Sequence, residues 1–251
     1  MNETIKHQLN HRTIRFFKEQ AVSNDVLEQL FAVMNRTATS NGLQSYSVIR
    51  ITDLEKRRAI AEICKQPYVV TAPELLIFIV DSYRNKTIAQ QKGYTGTNYR
   101  SMDFFFQGAA DAYLAAQNVT NAIESLGMGA VYFGSILNDS QAIINILGLP
   151  ELTFPILGIG FGYPADQPEL KPRMPFSYKI GENTYPYHED IMADLAAYDD
   201  EMANYYDSRQ SNQKSLAFTD QVTQKFEIAP VLRSQIMRVI EAQGFDLNLK
   251  D

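Results

Sequence analysis

The stretch Phe154-Pro-Ile-Leu-Gly-Ile-Gly-Phe-Gly162, followed shortly by Lys171-Pro172-Arg173, decides how this chain is read. An apolar run bounded by turn residues reads as a buried strand. Its small residues Gly158, Gly160 and Gly162 leave room where another backbone or a flat ring comes close. The run is not a dinucleotide fingerprint. The third glycine position is Tyr163, and Pro164 follows where a helix should open. Beyond it stand two fixed cations with a proline between them. A second cationic cluster, His11-Arg12-Thr13-Ile14-Arg15, lies near the other end of the chain. Folded together, the two clusters would make a pocket for something flat, anionic and phosphorylated.

Working outward, residues 2–10 read as a short helix. Ser23-Asn24-Asp25 resembles an N-cap for a helix carrying Leu27, Leu30 and Met34. Tyr46 to Ile51 reads as a strand, and Asp53 to Lys65 as a helix. Glu74-Leu-Leu-Ile-Phe-Ile-Val-Asp81 predicts a central strand buried on both faces. Arg84 to Asn98 is polar without a period and is expected to be a mobile excursion. Met102 to Leu126 is apolar around most of its circumference, so it belongs in a core or an oligomer interface. A strand at 130–133, a helix at 140–147 and the strand at 154–162 follow. After Arg173 the chain changes character, with an acidic helix expected at 190–208 and an amphipathic one at 227–243. The expected division is a core at 1–190 and a helical extension at 191–251.

Composition excludes several classes. The 251 residues suffice for a large core, and a net charge of -6 with scattered Lys and Arg argues against nucleic-acid binding. No apolar run approaches the roughly 20 residues of a membrane helix. The start lacks an apolar signal core, so a cytoplasmic protein is expected. Cys64 is the only cysteine, which forbids an intrachain disulfide and reads as a buried small hydrophobe. His7, His11 and His188 are too scattered for a zinc motif, and no metal is expected. There is no G-x-x-x-x-G-K-[ST] and no G-x-S-x-G, which removes P-loop and α/β-hydrolase chemistry.

The candidate binding residues follow from donor chemistry. Arg12 and Arg15 offer forked donors and Thr13 a hydroxyl, a set suited to a phosphate. A solvated charged turn is the plain alternative. Thr39, Ser40, Asn41 and Gln44 are either loop polars or donors to a sugar chain. Tyr132-Phe133-Gly134-Ser135 is either a strand end or a platform beneath a planar ring. Lys171 and Arg173 would stabilise negative charge at a flavin's pyrimidine edge, or are surface cations.

HRTIR at 11–15, the Ser/Thr loop with Leu43-Gln44, ESLGMGAVYFGS at 124–135 and GFGYPADQPELKPRMP at 160–175 together resemble the nitroreductase superfamily. The resemblance runs nearly the full length and is greatest to the NADPH-dependent, oxygen-insensitive nitroreductase and flavin reductase branch. It implies an α+β fold with a central mixed β-sheet flanked by helices. It also implies an intertwined homodimer with an extended C-terminal arm and FMN at the subunit interface. The implied FMN contacts are His11, Arg12, Thr13, Arg15, Thr39, Ser40, Asn41, Gln66, Tyr132, Phe133, Gly134, Ser135, Lys171 and Arg173. NADPH is the implied co-substrate, its 2′-phosphate held by Arg209 and Lys214. Thr13 stands where the family has Ser and keeps the hydroxyl. Lys214 stands where the branch has a second Arg and loses the bidentate fork, so NADH competes on this reading. The expected activity is hydride transfer by a ping-pong route to nitroaromatics, quinones or free flavin, with no side-chain nucleophile or acid. A flavin-storage protein without turnover is the alternative.

Overall fold

The structure, a computed structural model, describes residues 1–207, 213–228 and 230–248. The chain opens with α1 (Glu3–Leu9), capped by the Asn2 side chain, and α2 (Asn24–Asn35), capped by Ser23 as its sequence predicts. β1 (Tyr46–Arg50) leads to α3 (Leu54–Cys64), whose first turn is capped by Asp53. A single turn, α4 (Tyr68–Thr71), precedes β2 (Glu74–Asp81). Then come α5 (Tyr83–Gln91), α6 (Met102–Ser125), β3 (Gly129–Phe133), α7 (Ser140–Leu147) and β4 (Thr153–Gly162). Ser101 caps the start of α6, and Gly127 at φ +74° turns the chain away from its end.

The strands form one sheet in the order β1-β2-β4-β3. All three ladders are antiparallel. The sheet is therefore not mixed in its named strands. Parallel pairing enters it only as the bridge between Thr13 and Ala130, among the described residues. β2 is buried at every position, as expected for a central strand. Leu76, Phe78 and Val80 face a cluster built on α2 and α6, while Leu75, Ile77 and Ile79 face one built on α3 and α7. The register between β2 and β4 shifts between Phe78 and Ile79, opposite Pro155 and Leu157. A proline is tolerated in this interior strand because a bulge relaxes the ladder there.

The polar segment after β2 is ordered, contrary to the mobile excursion expected. α5 occupies its first part, and its polar side chains are used over long range. Arg84 donates to Gln44 O and Tyr46 O, and Asn85 Nδ2 donates to Leu43 O at 3.1 Å. Those bonds have no helical period, which is why pattern reading missed the helix.

The chain divides into two compact units, Met1–Gln167 with Pro230–Asp251, and Pro168–Ala229. This differs from a boundary at 190. The last segment returns to the first unit because it is threaded into its core. Phe245 is buried against Phe105 with ring centroids 5.0 Å apart. The buried Gln243 amide donates to Pro150 O at 2.9 Å and Thr153 O at 2.8 Å. The amphipathic helix expected at 227–243 is shorter, a 3₁₀ turn at Arg233–Gln235 and α10 (Ile236–Ala242), with Pro230 barring a helix that runs through from 227.

Within the second unit, α8 (Ile191–Asn204) packs Leu195, Tyr198 and Met202 against Met174, Tyr178 and Phe218. The short strands β5 (Tyr206–Asp207) and β6 (Gln213–Lys214) follow, then α9 (Phe218–Glu227). Asp199 of α8 accepts from the Thr219 backbone at 3.0 Å and hydroxyl at 2.6 Å, fixing the start of α9.

Gln243→Ala leaves two buried carbonyls without their donor. It is expected to lower unfolding stability by about 2–3 kcal/mol. Urea denaturation checks this, and a change within error of zero would mean water replaces the amide freely.

Candidate functional site

The 11–15 segment is positioned by the first residues of β3. Ile14 N donates to Ala130 O at 3.0 Å, and Ile14 itself is buried. A Cβ at Gly129 would fall inside Ile14, so this close approach requires glycine. Residues 16–18 then run antiparallel to 163–165. Lys18 N donates to Tyr163 O and Ala165 N to Phe16 O, both at 2.9 Å. The register sets Arg15 across from Asp166. Burial pushes the Asp166 carboxyl above its usual range, and Arg15 opposes the shift. His11 Nδ1 meets Glu124 Oε1 at 2.5 Å, and Arg12 Nη1 donates to the backbone and side-chain oxygens of Asn10 at 3.0 and 2.6 Å. Beside these residues lies a cavity of about 570 Å³ whose charged lining comprises Arg12, Lys18, Glu124 and Asp166.

The far end of β3 carries a second polar group. Ser135 Oγ donates to Gln66 Oε1 at 2.7 Å, which keeps the N–H donors of the amide out of that bond. Asn138 Nδ2 ties the same turn to Ile63 O at 3.1 Å. Arg233, from the returning C-terminal segment, donates to Gly134 O and Asn138 Oδ1 at 3.2 Å each. An added Cβ at Gly134 would meet nothing within 4 Å, so the turn has an open face.

Tyr132 and Phe133 point to opposite faces of the sheet. The Tyr132 hydroxyl donates to Thr120 Oγ1 of α6 at 2.8 Å, and burial pushes it above the ordinary phenol range. Phe133 is wholly buried and stacks on Tyr68 with centroids 5.7 Å apart. The Phe133 side chain therefore has no exposed face. Of the 132–135 stretch, the Gly134 turn is thus the part with an open face.

Thr39, Ser40 and Asn41 sit on a separate loop against α6. Asp111 accepts from Ser40 N at 2.7 Å and from Ser45 N at 2.9 Å, and Asn41 Nδ2 donates to Gln107 Oε1 at 3.0 Å. Asp111 and Glu124, each facing one candidate segment, stand thirteen residues apart on α6, about 20 Å along the helix axis. One chain thus brings together the 11–15 segment with β3, and Gln66 with Ser135, but it keeps the 39–41 loop away from 11–15.

Lys171 and Arg173 lie in the second unit, where Arg173 Nη1 donates to Lys171 O at 2.9 Å. Arg209 lies outside the described residues, and of Lys214 only the backbone is described, pairing in β6 with Tyr206. Sequence reading missed Asp111, Glu124, Asp166, Asn138 and Arg233. Acidic residues on an otherwise apolar helix gave Asp111 and Glu124 away only in retrospect. Among the described residues, no His/Cys/Asp/Glu group could hold a metal ion, and no helix is long and apolar enough to cross a membrane.

Comparison with known proteins bears on this arrangement. Residues 9–163 match the Nitroreductase family, and residues 171–248 match the Nitroreductase family, C-terminal domain. The chain is 32% identical over 251 residues to FMN reductase (NADPH) of Bacillus subtilis, covering 99% of this chain and 100% of that protein. It is 35% identical over 247 residues to NADPH-flavin oxidoreductase of Vibrio harveyi, covering 97% and 98% respectively. The solved structure of the NfrA1 nitroreductase from B. subtilis superposes with a TM-score of 0.90 at 31% identity, covering 98% of this chain and 100% of that one.

Cys64, next to the Gln66–Ser135 pair, is buried, and that burial pushes its thiol upward while the Ser135 hydroxyl partly offsets the shift. Little thiolate forms near pH 8, and access is closed. The folded protein is expected to resist a disulfide-exchange reagent that labels the denatured chain completely. Fast labelling of the native protein would show that the end of α3 opens.

Proposed function

The chain belongs to the nitroreductase family, and from that premise we propose that it is a cytoplasmic, homodimeric, FMN-dependent oxidoreductase that prefers NADPH. FMN, when bound, would supply the hydride-transfer chemistry that links the nicotinamide to a nitroaromatic, a quinone or free flavin as acceptor in a ping-pong scheme. The observation that carries the reading is the polarity of β3. Forked cations and the Thr13 hydroxyl stand at its first residues, and an amide–hydroxyl pair stands beside the open Gly134 turn after its last.

The donor set fits the group. Arg12 and Lys18 line the cavity beside the 11–15 segment, and with Arg15 and the Thr13 hydroxyl nearby in the chain they are the donor types that suit a phosphate dianion. The Gln66 amide suits the polar edge of a flat ring. Lys171 and Arg173 are assigned to favouring negative charge at that edge. Arg209 and Lys214 are assigned to the 2′-phosphate of NADPH, with Lys214 as the weaker holder.

A homodimer is supported by two features of α6. Phe106, Ala110, Tyr113 and Leu114 form an exposed stripe at helical spacing, with Phe106 65% exposed. A stripe of that kind calls for a partner surface. In addition, about 20 Å of helix is too far for one phosphate and sugar chain to touch both His11 and Ser40 of a single copy. A second copy supplies the missing loop.

The test is anaerobic stopped-flow at the flavin band, with NADPH and NADH mixed separately. Bleaching by NADPH at least tenfold faster than by NADH is expected, and Arg209→Ala should raise the KM for NADPH while leaving NADH alone. Bleaching by neither would replace the enzyme with a storage protein. Arg15→Ala should weaken FMN binding by about 10- to 100-fold, the loss of charge-assisted hydrogen bonds. Unchanged flavin occupancy after dialysis would remove Arg15 from the phosphate site.

A further inference from the structure

Asp111 is 0% exposed in the middle of α6, and both of its oxygens are met by backbone N–H groups of one loop. A carboxylate is a costly filling for such a position, and an apolar side chain would suit the helix and the core better. What it accomplishes is local. It gathers the N–H of Ser40 and the N–H of Ser45, closing the loop between them. That closure holds two non-glycine residues in the left-handed region, Asn41 at φ +52° and Gln44 at φ +51°. Residues seldom remain there unless the surroundings over-determine them, and such backbone clusters at functional sites.

Two further contacts set the same loop. Gly108, one turn before Asp111, has no room for a side chain, since a Cβ there would lie 2.7 Å from Ser45 O. On the other side, Arg84 and Asn85 of α5 take the loop carbonyls of Gln44 and Leu43. The carbonyls are thus held from α5, and the N–H groups at both ends of the loop are held from Asp111. Asp111 is itself 0% exposed, so its oxygens are closed to direct contact with a ligand.

We propose that Asp111 is a positioning residue that presets the Ser40–Asn41 segment for the phosphate and sugar chain of FMN. This rests on the proposed function, in which that segment contacts the cofactor. Asp111 touches no cofactor itself. It acts by fixing where the loop's hydroxyl, amide and remaining N–H donors point before binding, so that binding does not have to order them.

The experiment compares apo wild type with Asp111→Asn, an isostere that keeps one acceptor and turns two donors toward the loop. FMN and riboflavin are titrated by flavin fluorescence, and hydrogen exchange is followed at the Ser40 and Ser45 amides. Expected are faster exchange at both amides, a native circular dichroism spectrum, and an FMN Kd raised at least tenfold with a smaller change for riboflavin. A general loss of packing would weaken both flavins alike. Should Asp111→Asn not fold, Gly108→Ala pushes Ser45 from the same helix while retaining the carboxylate, and the same pattern is expected. A folded variant with faster exchange and unchanged FMN affinity overturns the proposal, as does unchanged exchange. Equal weakening of both flavins also overturns it. Failure of the wild type to bind FMN at all would instead refute the reading on which the proposal stands.

Discussion

Phe133 lies along a track of glycines on β4, and the arrangement of the candidate site follows from that contact. A Cβ at Gly160 would stand 2.8 Å from the Phe133 ring, and one at Gly158 would stand 3.1 Å from the Phe133 Cβ. The third glycine, Gly162, is closed instead by Pro73, whose ring would lie 2.5 Å from an added Cβ. These approaches fix β3 on β4 in one register, from Gly129 opposite Gly162 to Phe133 opposite Gly158. A one-residue slip would turn every side chain of β3 to the wrong face. With the register fixed, Gly129 receives Ile14 at one end, and the turn after Phe133 brings Ser135 to Gln66 at the other.

Much of this was legible, and the reasons divide by range. α2, α3, α6 and α7 carry their own signals, capped by Ser23, Asp53, Ser101 and Asp139 and ended, for α7, at Gly148. β2 declared itself by an unbroken apolar run. The room left by the glycines of β4 was also readable, but its occupant was not. The flat ring that fills it belongs to Phe133 of the neighbouring strand. α5 was illegible because Arg84 and Asn85 serve carbonyls some forty residues away in the chain. The return of Phe245 and Gln243 to the first unit was illegible for the same reason. Local pattern has no access to a partner that only the fold supplies.

The carboxylates show the same limit at the site. Sequence drew attention to cations, because a phosphate needs them. The structure places acids behind or beside the cations and loops already singled out: Glu124 against His11, Asp166 across from Arg15, and Asp111 beneath Ser40. Two of these acids sit on α6, where the predominant apolar pattern concealed them. A helix that reads as core is thereby also the element that sets donor geometry, and its exposed stripe is a third property carried on the same twenty-four residues.

That combination has an energetic consequence on the proposed reading. α6 holds the 11–15 segment near its C-terminal end at Glu124 and the 39–41 loop around Asp111, about 20 Å away along the axis and too far for one copy to bring both to one phosphate and sugar chain. On that reading FMN would span two copies, and cofactor occupancy and self-association would be one linked equilibrium. Any disorder in the 39–41 loop weakens both, because its ordering cost opposes the cofactor and the subunit contact together. A loop closed in advance by a buried carboxylate avoids that cost. Side-chain packing alone would not, since the groups to be fixed are backbone N–H donors, and only an acceptor can hold them.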